Sequence, residues 1–200
     1  MTAVSGATRP ALFLDRDGVI VDEVNYLHRV EDMRLSEGAA AVIGMANSAD
    51  IPVVVVTNQS GVGRAMFGWS DFEAVQQAMI DALAAEGAHV NAVFACPFHG
   101  DARSPWDVAE HRDRKPQPGM LVRAAGILPI ELAASWIVGD RAGDLGAGKN
   151  AGLAGGMHVL SGHGDNAGER AAALRHGDDD FRVIAGTGIG DFPGATPLLR

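Results

Sequence analysis

Residues 51–56 read Ile-Pro-Val-Val-Val-Val, an apolar run rich in β-branched side chains and without polar alternation. A strand with one face in water alternates apolar and polar residues, so a strand of this kind must be covered on both faces. Shorter runs of the same type stand at 11–14, 90–96 and 135–138, with a weaker one at 157–160. Between them lie stretches of helical period. Over 38–49, Ala39, Val42, Ile43, Ala46 and Ala49 recur at three and four residues. Over 70–86, Phe72, Val75, Met79, Ala82 and Leu83 share a face, with Ser70 and Glu73 as a capping box and Gly87 just past the end. Short helices are expected after Pro118 up to Gly126, from Asp144 to Ala151 before Gly152, and over 167–175. Strands alternating with helices predict an α/β fold, doubly wound and Rossmann-like, with a mostly parallel sheet covered by helices on both faces. The segment from Phe181 onward is expected to add an edge strand and a terminal helical turn. Gly186, Gly188 and Gly190 superficially match a dinucleotide loop but lack the framing strand and helix, so they are read as a turn.

With 200 residues, 47% of them hydrophobic, the chain can bury one core, and residues 1–200 are read as one domain. Sixteen Lys and Arg against 25 Asp and Glu give a net charge of −9, with no basic block. That balance disfavours nucleic acid and anionic membrane as partners. An anionic substrate would therefore have to be received at a bound cation or at a few placed basic side chains. The one cysteine, Cys96, can form no intramolecular disulfide. The first ten residues lack a charged start and a long apolar core, and no run reaches the roughly 20 residues of a membrane span. A cytoplasmic monomer is the expectation.

In an open parallel sheet the functional crevice lies beyond the carboxyl ends of the strands. Asp15-Arg16-Asp17-Gly18 follows the first run, Thr57-Asn58-Gln59-Ser60-Gly61 the second, and Gly139-Asp140-Arg141 with Asp144 the run at 135–138. Carboxylates gathered at one edge repel unless a proton or cation intervenes. Oxygen ligands of this kind suit Mg²⁺, which is commonly shared with a substrate phosphate. Taken singly, each motif has a plainer reading: an acid pair at a turn, a helix cap at Thr57, a solvated surface lysine at Lys115.

Taken together and in this order, FLDRDG, VVVVTNQSG, RKPQPGM and IVGDRAGDLGAGKNAG resemble the signature of the haloacid dehalogenase (HAD) superfamily of aspartyl phosphatases. The run TNQSGVGR, the CPFH loop and RKPQPGM are similar to the subgroup of D-glycero-D-manno-heptose 1,7-bisphosphate phosphatases and the related histidinol phosphatases. The likeness covers about residues 10–160, and 161–200 are read as an extension of the same domain. The resemblance implies a Mg²⁺-dependent hydrolase of a small anionic sugar bisphosphate, acting through an aspartyl-phosphate. A histidinol phosphatase, another small-ester phosphatase or a catalytically silent metal- and phosphate-binding module are the alternatives. It also implies roles. Asp15 is the nucleophile, Asp17 the general acid and base, Thr57 a phosphoryl ligand and Lys115 the cation facing phosphorus. The Asp15 carboxylate, the Asp17 main-chain carbonyl and Asp140 are implied as Mg²⁺ ligands, with Asp144 behind them or serving as a helix cap. Substrate contacts are expected from Asn58, Gln59, Ser60, Arg114, Arg141, Glu23, Asn25 and Tyr26.

The subgroup carries a Cys/His zinc loop before RKP, and here this chain departs from the pattern. Cys96 remains, Phe98 takes a histidine's place, His99 follows one residue later, and His111 and Asp113 stand where cysteines are expected. Cys96, His99, His111 and Asp113 could still make a tetrahedral set, but with thiolates lost the loop is read as zinc-free. Insertions after Ile20 and after Arg64 are too short for a cap domain, which leaves substrate choice to loops 22–30 and 96–114.

Overall fold

A computed structural model describes residues 7–199, so the reading of the first ten residues concerns a stretch lying mostly outside them. Six strands form one sheet in the order β3-β2-β1-β4-β5-β6: β1 Leu12–Leu14, β2 Val53–Asn58, β3 Ala92–Cys96, β4 Trp136–Gly139, β5 Gly155–His158 and β6 Arg182–Ala185. Every neighbouring pair is parallel. The helices are α1 Ala39–Ser48, α2 Ser60–Gly63, α3 Trp69–Ala85, α4 Gly119–Ile127, α5 Ala142–Asn150, α6 Glu169–Leu174 and α7 Phe192–Ala195. The chain runs outward from β1 to β3 and then returns to the other side of β1, so the strand order reverses between β1 and β4. A crevice opens at such a reversal.

The unbroken apolar runs have a direct cause. Leu12, Leu14, Val53, Val55 and Val138 pack into one core with residues of α1, α3 and α7. Phe13, Val54, Val56 and Ile137 point the other way, into a second core with α4, α5 and α6. Successive side chains of a strand alternate faces, and here both faces are dry.

Several boundaries differ from expectation. The fifth strand is Gly155–His158 rather than 157–160. A Cβ at Gly155 would run into the Arg182 carbonyl and the Trp136 ring, and one at Gly156 into the Leu145 and Ile137 side chains, so neighbouring backbone and side chains demand glycine where a sequence pattern shows only a break. The long helix is capped by the Asp71 carboxylate, which accepts from the Gly68 N–H at 2.8 Å, rather than by Ser70 and Glu73. α4 runs through Gly126 and stops at Ile127, shortly before Pro129. α5 starts two residues early, at Ala142, because Asp144 caps the Arg141 N–H at 2.9 Å. A strand does precede Gly186, but the turn is closed by Asp191, which accepts from the Thr187 N–H and hydroxyl. Among the described residues no helix is long and apolar enough to cross a membrane.

Candidate active site

The carboxyl ends of β1, β2 and β4 converge on a crevice of about 320 Å³, within the usual size of a small-ligand site. Its floor is built by chain direction: each strand delivers its last buried apolar residue and the next residue is a polar one at the edge. Asp15 follows β1 and Asp140 follows β4, while Thr57 is the fifth residue of β2. Lys115 reaches the same point from the loop between β3 and α4.

Lys115 is 5% exposed, and its Nζ lies 2.9 Å from Asp15 Oδ1, 2.6 Å from Asp144 Oδ1 and 2.7 Å from the Val56 carbonyl to which it donates. Burial alone would push this ammonium down, but Asp144 and Asp15 outweigh it and hold its pKa above the ordinary lysine value. The charge is therefore permanent at neutral pH. The lysine's own main chain is gripped by Asn58, whose carboxamide accepts from the Lys115 N–H at 3.1 Å and donates to its carbonyl at 3.2 Å.

Asp15, Asp140 and Asp144 bring ligand oxygens within 4.8 Å of one another. Asp140 Oδ2 accepts from the His163 N–H at 2.7 Å, whereas Oδ1 is buried without a hydrogen-bond partner. Burial together with Asp15 and Asp144 raises the Asp140 pKa to about 8. A buried orphan oxygen amid like charges is what a hard divalent cation would satisfy, so the donor set fits Mg²⁺. The Asp17 carbonyl accepts none of the main-chain hydrogen bonds of the turn that follows β1. Gly18, at φ +78°, lets that turn approach, since a Cβ there would lie 2.6 Å from Asp140 Oδ2.

All of the expected catalytic, Mg²⁺ and substrate residues line this crevice, but not all face it with free groups. Asn58 is engaged with Lys115. Gln59 is buried, its Nε2 donating to Thr57 Oγ1 at 2.9 Å and to Asp17 Oδ2 at 3.0 Å. Both amides therefore hold protein groups. At the rim, Glu23 accepts from the Asn25 N–H at 2.6 Å, and its pKa is raised by burial and by Asp17. Asn25 and Tyr26 both have positive φ, +49° and +65°, an unusual backbone for such residues. Arg114 donates to the Phe98 carbonyl at 3.0 Å, and its pKa is lowered by burial and by the nearby charges of Arg64 and Arg141.

The four side chains that could have made a zinc set are not gathered. Among the described residues, Cys96, His99, His111 and Asp113 form no group of close ligand atoms. His99 Nδ1 accepts from the Asp101 N–H at 3.0 Å, His111 Nδ1 from the Asp113 N–H at 3.1 Å, and Asp113 pairs with Arg123 at 2.8 Å. The His111 ring stacks on Phe98 at 3.6 Å between centroids, with Trp106 edge-on to the same ring.

Four polar side chains of the lining escaped the sequence reading: Arg16, Arg64, His99 as a crevice residue, and His163. Arg16 and Arg64 lie inside motifs already noted, so their place was the available signal. For His163, brought in by the loop after β5, no sequence signal exists. Ser161 ties that loop to the β1 turn, donating to the Gly18 carbonyl at 2.6 Å.

The chain is similar to known proteins. Residues 113–180 match the family model for HAD-hydrolase-like proteins. The D-glycero-beta-D-manno-heptose-1,7-bisphosphate 7-phosphatase of Mesorhizobium japonicum is 47% identical over 150 residues, which is 75% of this chain and 69% of that protein. The Rhodopseudomonas palustris protein of the same name is 43% identical, covering 78% and 86%. The crystal structure of D,D-heptose 1,7-bisphosphate phosphatase from B. bronchiseptica, complexed with magnesium and phosphate, superposes with a TM-score of 0.76 at 30% identity, covering 93% of this chain and 97% of that one. With the strand-end carboxylates, the buried lysine and relatives this close over most of its length, the chain belongs to the D-glycero-D-manno-heptose-1,7-bisphosphate 7-phosphatase family of HAD-like hydrolases.

Proposed function

We propose that this phosphatase removes one phosphate from a heptose 1,7-bisphosphate, with Mg²⁺ as its cofactor. The observation that carries the reading is the pairing, in one crevice, of the Asp15–Lys115–Asp144 cluster with three arginines of the lining, Arg64, Arg114 and Arg141. A cluster able to attack one phosphate and a separate cationic group awaiting another suit a substrate with two phosphates. The relatives named for heptose bisphosphate support the choice of sugar.

In this reading an Asp15 oxygen attacks phosphorus while the bond to the sugar oxygen breaks, and Asp17 gives that oxygen a proton. Water then attacks the aspartyl-phosphate, losing a proton to Asp17, and inorganic phosphate and free Asp15 are regenerated. Asp15, Asp140 and the Asp17 carbonyl would hold Mg²⁺, which when bound neutralises charge on the transferring phosphoryl group. Lys115, fixed by Asp144, keeps Asp15 aimed and opposes charge on phosphorus. Thr57 and Ser60 offer hydroxyls to phosphoryl oxygens, while Glu23, Asn25 and Tyr26 face the sugar.

The test is phosphate release with Mg²⁺ from heptose bisphosphates of both anomeric series, histidinol phosphate and simple sugar monophosphates, ranked by kcat/KM. The heptose bisphosphates should lead. A higher rank for histidinol phosphate overturns the substrate assignment, and release from no ester overturns the activity.

A further inference from the structure

Arg16 stands between the two aspartates of the β1 turn, and nothing in the reaction described above uses it. Its side chain is 1% exposed and among the largest fully buried in the molecule. Burying a guanidinium is costly unless its partner is well placed. Here the partner is Asp17 alone: Nε lies 3.1 and 3.2 Å, and Nη2 2.7 and 3.0 Å, from its two carboxylate oxygens, to which they donate. The third nitrogen, Nη1, has no hydrogen-bond partner. Behind the guanidinium, 5.2 Å away, lies the ring of Phe72 from α3, a cation–π contact that locks the fork against the helix. Gln59 adds a third donor, to Asp17 Oδ2, and ties it to Thr57.

Such a fork fixes the plane of a carboxyl group as well as its position. A carboxylate on a free side chain beside a buried lysine and a cation site would turn toward those charges. The Asp17 carboxylate does not join the Asp15, Asp140 and Asp144 oxygens. Because Oδ2 carries the additional amide donor, Oδ1 is the oxygen with the greater spare capacity for a proton.

Resting on the roles given to Asp15 and Asp17 above, we infer that Arg16 is the positioning residue for the general acid. With Gln59 it holds the Asp17 carboxyl in the plane from which a proton passes to the leaving oxygen. The consequence depends on the leaving group. A basic alkoxide needs that proton as the P–O bond breaks, whereas a stable aryloxide departs largely without it. Losing the aim therefore costs most where the leaving group is poorest, and a merely structural arginine would lower all rates alike.

The experiment compares wild type, Arg16→Met and Arg16→Lys on phosphate monoesters running from p-nitrophenyl to simple alkyl. In Arg16→Met, kcat should fall about ten- to a hundredfold more on the alkyl esters than on p-nitrophenyl phosphate, part of the factor a placed acid contributes. The plot of log kcat against leaving-group pKa should steepen accordingly. Arg16→Lys restores the charge without the fork and should recover only part of the difference. An equal loss on every ester overturns the inference. If the Arg16 variants do not fold, Gln59→Leu carries the same test by removing a donor from the same oxygen: a steeper slope supports the inference and an unchanged slope overturns it. Wild type inert on all esters would instead overturn the phosphatase reading on which this one stands.

Discussion

At the floor of the crevice Lys115 has three partners within 2.9 Å, all of them buried or part of β2. At the rim the contacts are fewer and less buried: Arg64 donates to half-buried Tyr26 at 2.9 Å and pairs with exposed Asp101, and Glu23 faces half-buried His163 at 3.6 Å. Asp15, Thr57 and Asp140 stand at strand ends clamped between two apolar cores, and Lys115, although it comes from the loop between β3 and α4, is buried against them. The rim residues stand outside the regular elements: Glu23 and Tyr26 on the stretch before α1, Arg64 just after α2 and His163 on the loop after β5. Ion pairs excluded from water interact far more strongly than exposed ones, which are worth about 0 to 1 kcal/mol. The floor is thus preorganised for one chemistry, and the rim is where substrate choice can vary at little cost to the fold.

That contrast can be broken most severely at the metal position. Exhaustive EDTA treatment should abolish phosphate release and Mg²⁺ should restore it, while Ca²⁺, with its longer and looser coordination, should inhibit. Full activity after metal removal would contradict the account of the floor. Next in size, Asp15→Asn should lower kcat by at least about a thousandfold, the order lost when a covalent nucleophile is removed. The variant should unfold at a temperature close to that of wild type, and near-normal turnover in a contamination-free preparation would rule out Asp15 as nucleophile.

Rim substitutions should act on discrimination instead. Arg114→Ala is expected to lower kcat/KM for the bisphosphate by roughly 10- to 100-fold, the worth of a charged hydrogen bond, and to lower it less for the corresponding monophosphate. Equal losses on the two substrates would remove Arg114 from recognition of the second phosphate. The smallest effect should come from the loop that departs from the family pattern. Phe98→Ala removes the ring on which His111 and Trp106 rest and should cost about 1 to 3 kcal/mol of stability in denaturant unfolding. Cys96→Ser should cost about 0.5 to 3 kcal/mol. Elemental analysis sharpens the point, because one equivalent of zinc per chain would show that the aromatic stack is not what orders this loop.

Much of the architecture was legible because it is written in local patterns. Four consecutive valines without alternation demand cover on both faces, and two cores meet that demand. Capping and strand limits were less legible: Gly155 and Gly156 hide a strand because the reason for glycine is Arg182 and Trp136 at the first and Leu145 and Ile137 at the second, none of them adjacent in the chain. The same limit applied to the site. Asn58 and Gln59 stand in the motif beside Thr57, and only the structure shows that they hold Lys115 and Asp17.

The sequence by itself determined the α/β class, the strand ends that deliver Asp15, Thr57 and Asp140, and the family likeness, since these depend on residue type and order along short stretches. Only the tertiary structure decided that Lys115 sits between Asp15 and Asp144, that Asp140 keeps an unpartnered oxygen, that His163 closes the crevice from the loop after β5, and that Arg16 grips Asp17. Apart from Arg16 and Asp17, which are neighbours in the chain, those facts rest on contacts between distant segments, such as Lys115 with Asp15, 100 positions apart. Such contacts arise when the two cores close around the sheet, and no local pattern encodes them.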